Sequence, residues 1–479
     1  MDVLLFRPKT ADHDYSTKSV PWNLLYIASF LEQKGFSVKI IDELVDKNWV
    51  SILNKSDKPL IVGVSVMTGL QIKYALLFSK WIKEKLGVPV FWGGVHPTSL
   101  PEQTLKHELI DFVIKGDGEE TLFELLQALK KKKSLENIDG LGFKKSGRII
   151  INKNRNLFNL SSLKKINFNL INLDDFILRD GHNLQSFDIN TSRGCYFNCS
   201  FCVNKLFSHI SWRSIKLELL FRMVEQLVKE YGVNHIHWME LDFFSSKTRV
   251  KKIMFWLIKQ NFNITWDANC RIDNFEKFDD EFITLMKQSG CVYLTFGVES
   301  GSNKILKKLN KKLTREQVLN VENKLVKNKI DHYFQFMIGV PTETKEDMSL
   351  TASLVYNLIR KNPYLKEIYG PNIYTPYPGT DLYFEALKQG FVPPKKLEGW
   401  FNFHWDGVNL DWLSLKEKKF AKSLSFNIKG IYKEFPFFSS RKRLLSKYFF
   451  FKLFLLVKFG INIPYFEGFF FDFLKKFKF

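Results

Sequence analysis

The chain has 479 residues, 45% of them hydrophobic, and a formal charge of +21. That length suits two or three domains, and the apolar content excludes global disorder. Its five cysteines are too few for a disulfide framework and point to a reducing, cytoplasmic compartment.

Met1-Asp-Val-Leu-Leu-Phe6 has no basic segment ahead of an apolar run and reads as a strand, not a signal peptide. No stretch reaches about 18 uncharged apolar residues, so no spanning helix is expected. Excess Lys and Arg can neutralise nucleic-acid phosphates. Lysines on solvated helix faces are the simpler account, Lys130 to Lys133 being an exposed helix end, and nucleic acid is not the expected partner.

Strand and helix signals alternate from the start. Val3–Phe6, Ser37–Ile41, Leu60–Val66, Val90–Trp92 and Phe112–Ile114 read as short buried strands. Trp22–Gln33, Gln71–Leu86 and Glu119–Lys130 read as the helices between them. This order predicts an α/β, doubly wound, Rossmann-like domain with a parallel sheet covered on both faces. Polar residues cluster after the strands, at Ser65 to Gly69, Gly93 to Thr98 and Gly116 to Glu119, where such sheets bind ligands. The glycines suit a large flat ligand close to the backbone, or are only turn residues. Gly140–Asn154 reads as a hairpin turning at Ser146-Gly147. Residues 155 to 184 lack periodicity and read as a linker.

A second alternation follows. The strands are Phe187–Asn190, His235–Met239, Ile264–Trp266 ending near Arg271, Val292–Phe296, Tyr333–Ile338 and Glu367–Tyr374. Helices are expected at Leu217–Tyr231, Val250–Lys259, Glu281–Ser289, Lys304–Leu309, Glu316–Val326 and up to about Arg360. Six such units make a partial (β/α)6 barrel with its chemistry at the strand carboxyl ends. From about Trp400 the chain is basic, aromatic and helical, ending Lys475-Lys-Phe-Lys-Phe479. It reads as a helical cap on the barrel; its Phe and Lys pattern also suits an interfacial helix touching a membrane.

Just after the first barrel strand stand Cys195, Cys199 and Cys202. Three thiolates can hold three irons of a four-iron cluster and leave the fourth iron open. A zinc site normally closes with a fourth ligand; His209, Cys270 and Cys291 are the candidates. Accidental clustering is the remaining alternative.

The spacing Cys-x-x-x-Cys-x-aromatic-Cys, with Phe201 in the aromatic slot, resembles the signature of the radical S-adenosylmethionine (SAM) superfamily. Residues 187 to 390 resemble its Elongator-like core motif by motif: Glu240-x-Asp242, Arg271, Gly297-Val-Glu-Ser-Gly-Ser302, Gly339-x-Pro-x-Glu-Thr344 and Pro376-x-Pro-Gly-Thr380. The resemblance implies a [4Fe-4S] cluster on the three cysteines and SAM on its open iron. It implies Glu240 or Asp242 at the SAM ammonium, Arg271 at its carboxylate, and Glu299 at the ribose hydroxyls or methionine end. Glu240-x-Asp242 departs from the family's usual paired aspartates. Glu299 also reads as half of an ion pair, and Arg271 as a surface residue.

The first domain resembles the cobalamin-binding domain that precedes this core in one large subgroup. Val20-Pro21, Gly93-Gly94-x-His96-Pro-Thr98 and Gly116-Asp-Gly-Glu119 carry the likeness. It implies corrin contacts at Ser65, Gly93, Gly94, His96, Gly116 and Glu119. The Asp-x-His-x-x-Gly motif that supplies a cobalt ligand is absent, and Asp12-His13-Asp14 is not that motif, so base-off cobalamin without a protein histidine is implied. Methylthiotransferases carry cluster cysteines in their first domain, and residues 1 to 194 contain none.

The expected domains are 1–140, cobalamin-binding-like; 141–184, hairpin and linker; 185–395, radical SAM; and 396–479, the C-terminal region. The resemblance implies a methyltransferase working through a 5′-deoxyadenosyl radical and methylcobalamin on an unactivated carbon. Non-methylating radical chemistry and a non-catalytic sensor are the alternatives. A small-molecule or lipid-like substrate and an electron donor such as flavodoxin or ferredoxin are the implied partners.

Overall fold

The computed structural model describes residues 1–10, 18–179, 183–403, 410–432 and 442–460. The first sheet holds β1 (Val3–Arg7), β2 (Val38–Asp42), β3 (Ile61–Ser65), β4 (Val90–Gly93), β5 (Phe112–Ile114), β6 (Leu141–Lys145) and β7 (Arg148–Ile151). They lie in the order β2-β1-β3-β4-β5-β6-β7, the first five parallel. Strand alternation explains why β1 is apolar throughout. Val3 and Leu5 enter the core on one face, and Leu4 and Phe6 the core on the other. The chain reverses direction between β1 and β3, which opens a crevice at the strand carboxyl ends. The hairpin forms as expected, with Ser146 and Gly147 both at positive φ, as a two-residue turn of this kind needs. It is not separate from the first domain, however: β6 pairs antiparallel with β5 and continues that sheet.

The second sheet contains β8 (Leu178–Arg179), β9 (Gln185–Ile189), β12 (His235–Trp238), β13 (Thr265–Cys270), β14 (Cys291–Glu299), β15 (Asp331–Ile338) and β16 (Leu365–Ile373). Six parallel strands run in chain order from β9 to β16, and β8 closes the near edge antiparallel. This is a curled half-barrel. A two-stranded ribbon, β10 (Ser192–Gly194) and β11 (Trp212–Ser214), stands apart from it. β13 runs to Cys270 and so ends near Arg271, as expected. Its polar Asp267 and Asn269 alternate with Ala268 and Cys270, which are buried. The expected linker is well packed: Phe158, Leu160, Ile166, Phe168 and Phe176 are buried in the core cluster that reaches both sheets.

The C-terminal region divides. Leu397, Trp400 and Phe403 reach back into the core of the first lobe, where Trp400 donates to Gln103 Oε1 at 2.8 Å. Helices Leu415–Tyr432 and Lys442–Phe459 cap the half-barrel, burying Leu424, Ile428, Leu453 and Leu456 in its core. Among the described residues no helix is long and apolar enough to cross a membrane. Asp12-His13-Asp14 and the Phe-rich end from 461 to 479 lie outside the described residues.

The lobes are joined by polar bonds as well as by apolar packing. Arg193 on β10 meets Asp117 at 3.0 Å and Glu119 at 2.7 Å, both in the loop that follows β5. Arg213 on β11 pairs with the other Asp117 oxygen. Trp22 donates to the Asp188 carbonyl at 3.0 Å and Tyr26 to the Asn190 carbonyl at 2.6 Å. Glu119 is fully buried, so removing its cation strands a charge away from water. Arg193→Met is expected to lower unfolding free energy by about 3–5 kcal/mol in chemical denaturation. A neutral result would contradict this reading of the interface.

His96 lies fully buried against the Trp400 ring, with Nδ1 3.1 Å from Thr68 Oγ1. Burial holds its imidazole down at about 3. In the unfolded chain it titrates near about 6.5. Below that pH the unfolded chain takes up a proton that the native state refuses, so stability is complete above about pH 6.5 and falls as pH drops. His96→Gln is expected to flatten the loss of stability between about pH 6.5 and pH 4, measured by denaturation at several pH values. Parallel curves for the two proteins would refute it.

Candidate functional site

The cysteine loop is held from several sides. The ribbon of β10 and β11 closes its base, and Gly194 is required there: at φ +93° its Cβ would lie 1.9 Å from the Ser211 carbonyl. Ser200 N–H donates to the Leu309 carbonyl at 2.9 Å, and Asn310 donates to the Asn198 carbonyl at 2.6 Å. Phe201 packs with Ile305, Leu309 and Tyr374. Cys199 is buried, while Cys195 and Cys202 are half-buried. Burial pushes the Cys195 and Cys202 thiols up. Their ionised form therefore needs a positive partner, which an iron centre supplies.

The spacing of the thiols bears on which metal they suit. Sulfurs around one tetrahedral zinc lie about 3.8 Å apart, as Zn–S bonds of about 2.3 Å require. Among the described residues, the group of three ligand atoms gathered within 4.8 Å is His235, His237 and Asp267, not the cysteines. Three thiols with no fourth ligand suit a cluster with one open iron better than a closed zinc site. His209 is exposed, and Cys270 and Cys291 point their thiols at the Arg271 and Tyr293 carbonyls.

The carboxylates predicted from sequence stand at the carboxyl ends of β12 and β14, and Arg271 at that of β13. Glu240 Oε1 accepts from the Thr191 N–H at 2.9 Å and its hydroxyl at 2.6 Å. Asp242 accepts from Asn274 at 2.7 Å and Ser245 at 3.2 Å. Each keeps one buried oxygen, Glu240 Oε2 and Asp242 Oδ1, without a partner. Burial raises both groups, Asp242 to about 6. Arg271 is buried rather than on the surface. Its guanidinium stacks 3.4 Å from the Phe197 ring centroid, donates to Asp273 and the Lys311 carbonyl, and reaches Cys199 Sγ at 3.9 Å. Glu299 pairs with Lys311 at 2.8 Å. Its φ of +76° lies beside a register shift between β14 and β15. Such irregularities re-aim a side chain at a strand end.

Between the lobes lies a cavity of about 500 Å³. Ser65, Gly93, Gly94 and Gly116 wall it on the first-sheet side, and Arg193 and Cys202 on the other. Gly94, at φ +101°, lets the loop pass over Val66, whose carbonyl would meet a Cβ at 2.9 Å. Of the six predicted corrin contacts, two do not line the cavity, and Glu240, Asp242, Arg271, Glu299, Cys195 and Cys199 also lie outside its lining. His96 stands behind the loop against Trp400, and Glu119 is committed to Arg193. Sequence reading missed Arg193, Asp117, Thr191 and Lys311. The acid in Gly116-Asp-Gly-Glu119 and the arginine two places before Cys195 were the available signals.

Residues 189–355 match the radical SAM superfamily model and residues 13–126 the B12 binding domain model. An uncharacterized methyltransferase of Pyrococcus horikoshii is 31% identical over 82% of this chain and 84% of its own. The anaerobic magnesium-protoporphyrin IX monomethyl ester cyclase of Rubrivivax gelatinosus is 23% identical over 77% of this chain and 68% of its own. The solved structure of the cobalamin-dependent SAM radical enzyme OxsB with aqua-cobalamin bound superposes with a TM-score of 0.73 at 18% identity, covering 99% of this chain and 75% of that one. With a cysteine trio at the mouth of a half-barrel and a B12-binding sheet facing it, the chain belongs to the radical SAM superfamily, among the members that carry a cobalamin-binding domain ahead of the radical SAM domain.

Proposed function

We propose that this radical SAM enzyme is a cobalamin-dependent methyltransferase that methylates an unactivated carbon. The cavity carries the reading: the carboxyl ends of the first sheet and the cysteine loop wall one space, and Cys202 faces it. The P. horikoshii relative named a methyltransferase supports the reaction type. When bound, the cluster and SAM supply a hydrogen-abstracting radical and the corrin a transferable methyl group.

The residues present fit these groups. Cys195, Cys199 and Cys202 would hold three irons, and the Arg271 hydrogen bond to Cys199 Sγ would tune their potential. Glu240 Oε2 and Asp242 Oδ1 are orphaned buried acceptors, suited to an ammonium. Glu299, held by Lys311, would take hydroxyls. Ser65, Gly93, Gly94 and Gly116 leave backbone open to a corrin. His96 and Glu119 would support the corrin loops from behind. In this reading residues 1–140 with the hairpin hold the corrin, and 185–395 hold the cluster and SAM. A reductant must supply the electron.

The R. gelatinosus cyclase favours a second reading, oxidative ring closure on the same frame. Anaerobic reconstitution with hydroxocobalamin, SAM and reductant is expected to give both 5′-deoxyadenosine and methylcobalamin. Deoxyadenosine without methylcobalamin would favour ring closure, and neither product would leave a sensor. Cys199→Ala is expected to abolish SAM cleavage while corrin absorbance is retained. Glu299→Ala should weaken SAM binding by about 1.5–3 kcal/mol, one charged hydrogen bond, in equilibrium titration. Unchanged turnover in Cys199→Ala, or unchanged affinity in Glu299→Ala, would contradict the respective assignment.

A further inference from the structure

Deep in the half-barrel, away from the cysteine loop, the strands build a second constellation. His235 and His237 lie two apart on β12 and so share one face. In the parallel register Asp267 of β13 stands across from His237, and Thr265 across from His235. His235 therefore reaches Asp267 Oδ2 with its far nitrogen, Nε2, at 2.8 Å, and His237 reaches the same oxygen with its near nitrogen, Nδ1. All three ligand atoms lie within 4.8 Å of one another. The His235 and Asp267 side chains are nearly buried, at 5% and 11% exposure, while His237 at 22% keeps an approach open.

We propose that His235, His237 and Asp267 bind a divalent transition-metal ion of the zinc or ferrous class. Two imidazoles and one carboxylate form an N2O set suited to those ions, with positions left open. The supporting bonds match a metal site. His235 Nδ1 lies 2.6 Å from Thr265 Oγ1, whose hydroxyl can donate to the Asn234 carbonyl at 3.5 Å. With Thr265 accepting from Nδ1–H, the Nε2 lone pair would face the carboxylate oxygen. A cation between them resolves that opposition, and a ligating histidine normally donates its other N–H in this way. Asp188 of β9 stands across from His237, and the Tyr293 hydroxyl lies 3.5 Å from His237 Nδ1. The strands hold these groups by register, independently of what occupies the cavity between the lobes.

The test uses the full chain with its iron–sulfur cluster assembled. After zinc addition and desalting, metal analysis is expected to find one zinc per chain beyond the cluster iron. Cobalt(II) in its place should show weak d–d bands without thiolate charge transfer. His237→Gln and Asp267→Asn should each lose this ion while iron and sulfide content stay unchanged; either folded variant suffices. Thr265→Val should weaken zinc binding by about 10- to 100-fold, as for other residues that orient a ligand. Wild-type chain that retains no ion beyond the cluster, or variants that retain it equally, would overturn the proposal and leave a hydrogen-bonded triad.

Discussion

The arrangement rests on one half-buried cation and the buried carboxylate it serves. Arg193 stands on the ribbon two residues before Cys195 and pairs with Asp117 and Glu119 of the first lobe. A planar guanidinium with several fixed donors can serve two carboxylates at once, which a lysine could not do in the same geometry. Burial of Glu119 makes the pairing obligatory, because displacing the lobes would leave its charge buried without a partner. The loop that follows β5 and the loop that carries the thiols are thereby fixed to one another, and the cavity between them has a defined shape.

This coupling makes a long chain behave as one working unit. The first sheet alone would present glycine-rich strand ends to solvent, and the half-barrel alone would leave its cysteine loop unroofed. Trp22 and Tyr26 add neutral bonds to backbone carbonyls beside β9, so the helix that carries them belongs to both lobes. Trp400 closes the assembly from the far end of the chain, packed on His96 behind the corrin-side loop. Chemistry that needs two large cofactors over one substrate requires such fixed spacing, since small misplacements cost rate steeply.

Much of the fold was legible because burial writes itself as periodicity. The helices at 22–33 and 217–231 and the strand at 112–114 fall where the apolar spacing puts them. β13 ends just before Arg271, where the sequence put it. What escaped was polar and local. The ribbon of β10 and β11 spans only three residues per strand, too few for any period to register. At the site, the cysteines and carboxylates announced themselves by motif. The residues that hold them, Thr191, Arg193 and Lys311, depend on partners far along the chain. His96 shows the opposite failure: it carries a binding motif in sequence, yet faces the core in space.

The central claim is that the two cofactors share one cavity. Electron paramagnetic resonance on the full chain, carrying cob(II)alamin and a reduced cluster together, tests it most directly. The account predicts mutual magnetic coupling, seen as splitting or broadening of the cobalt signal that vanishes when the cluster cysteines are replaced. Two undisturbed, independent signals from a chain loaded with both would contradict it.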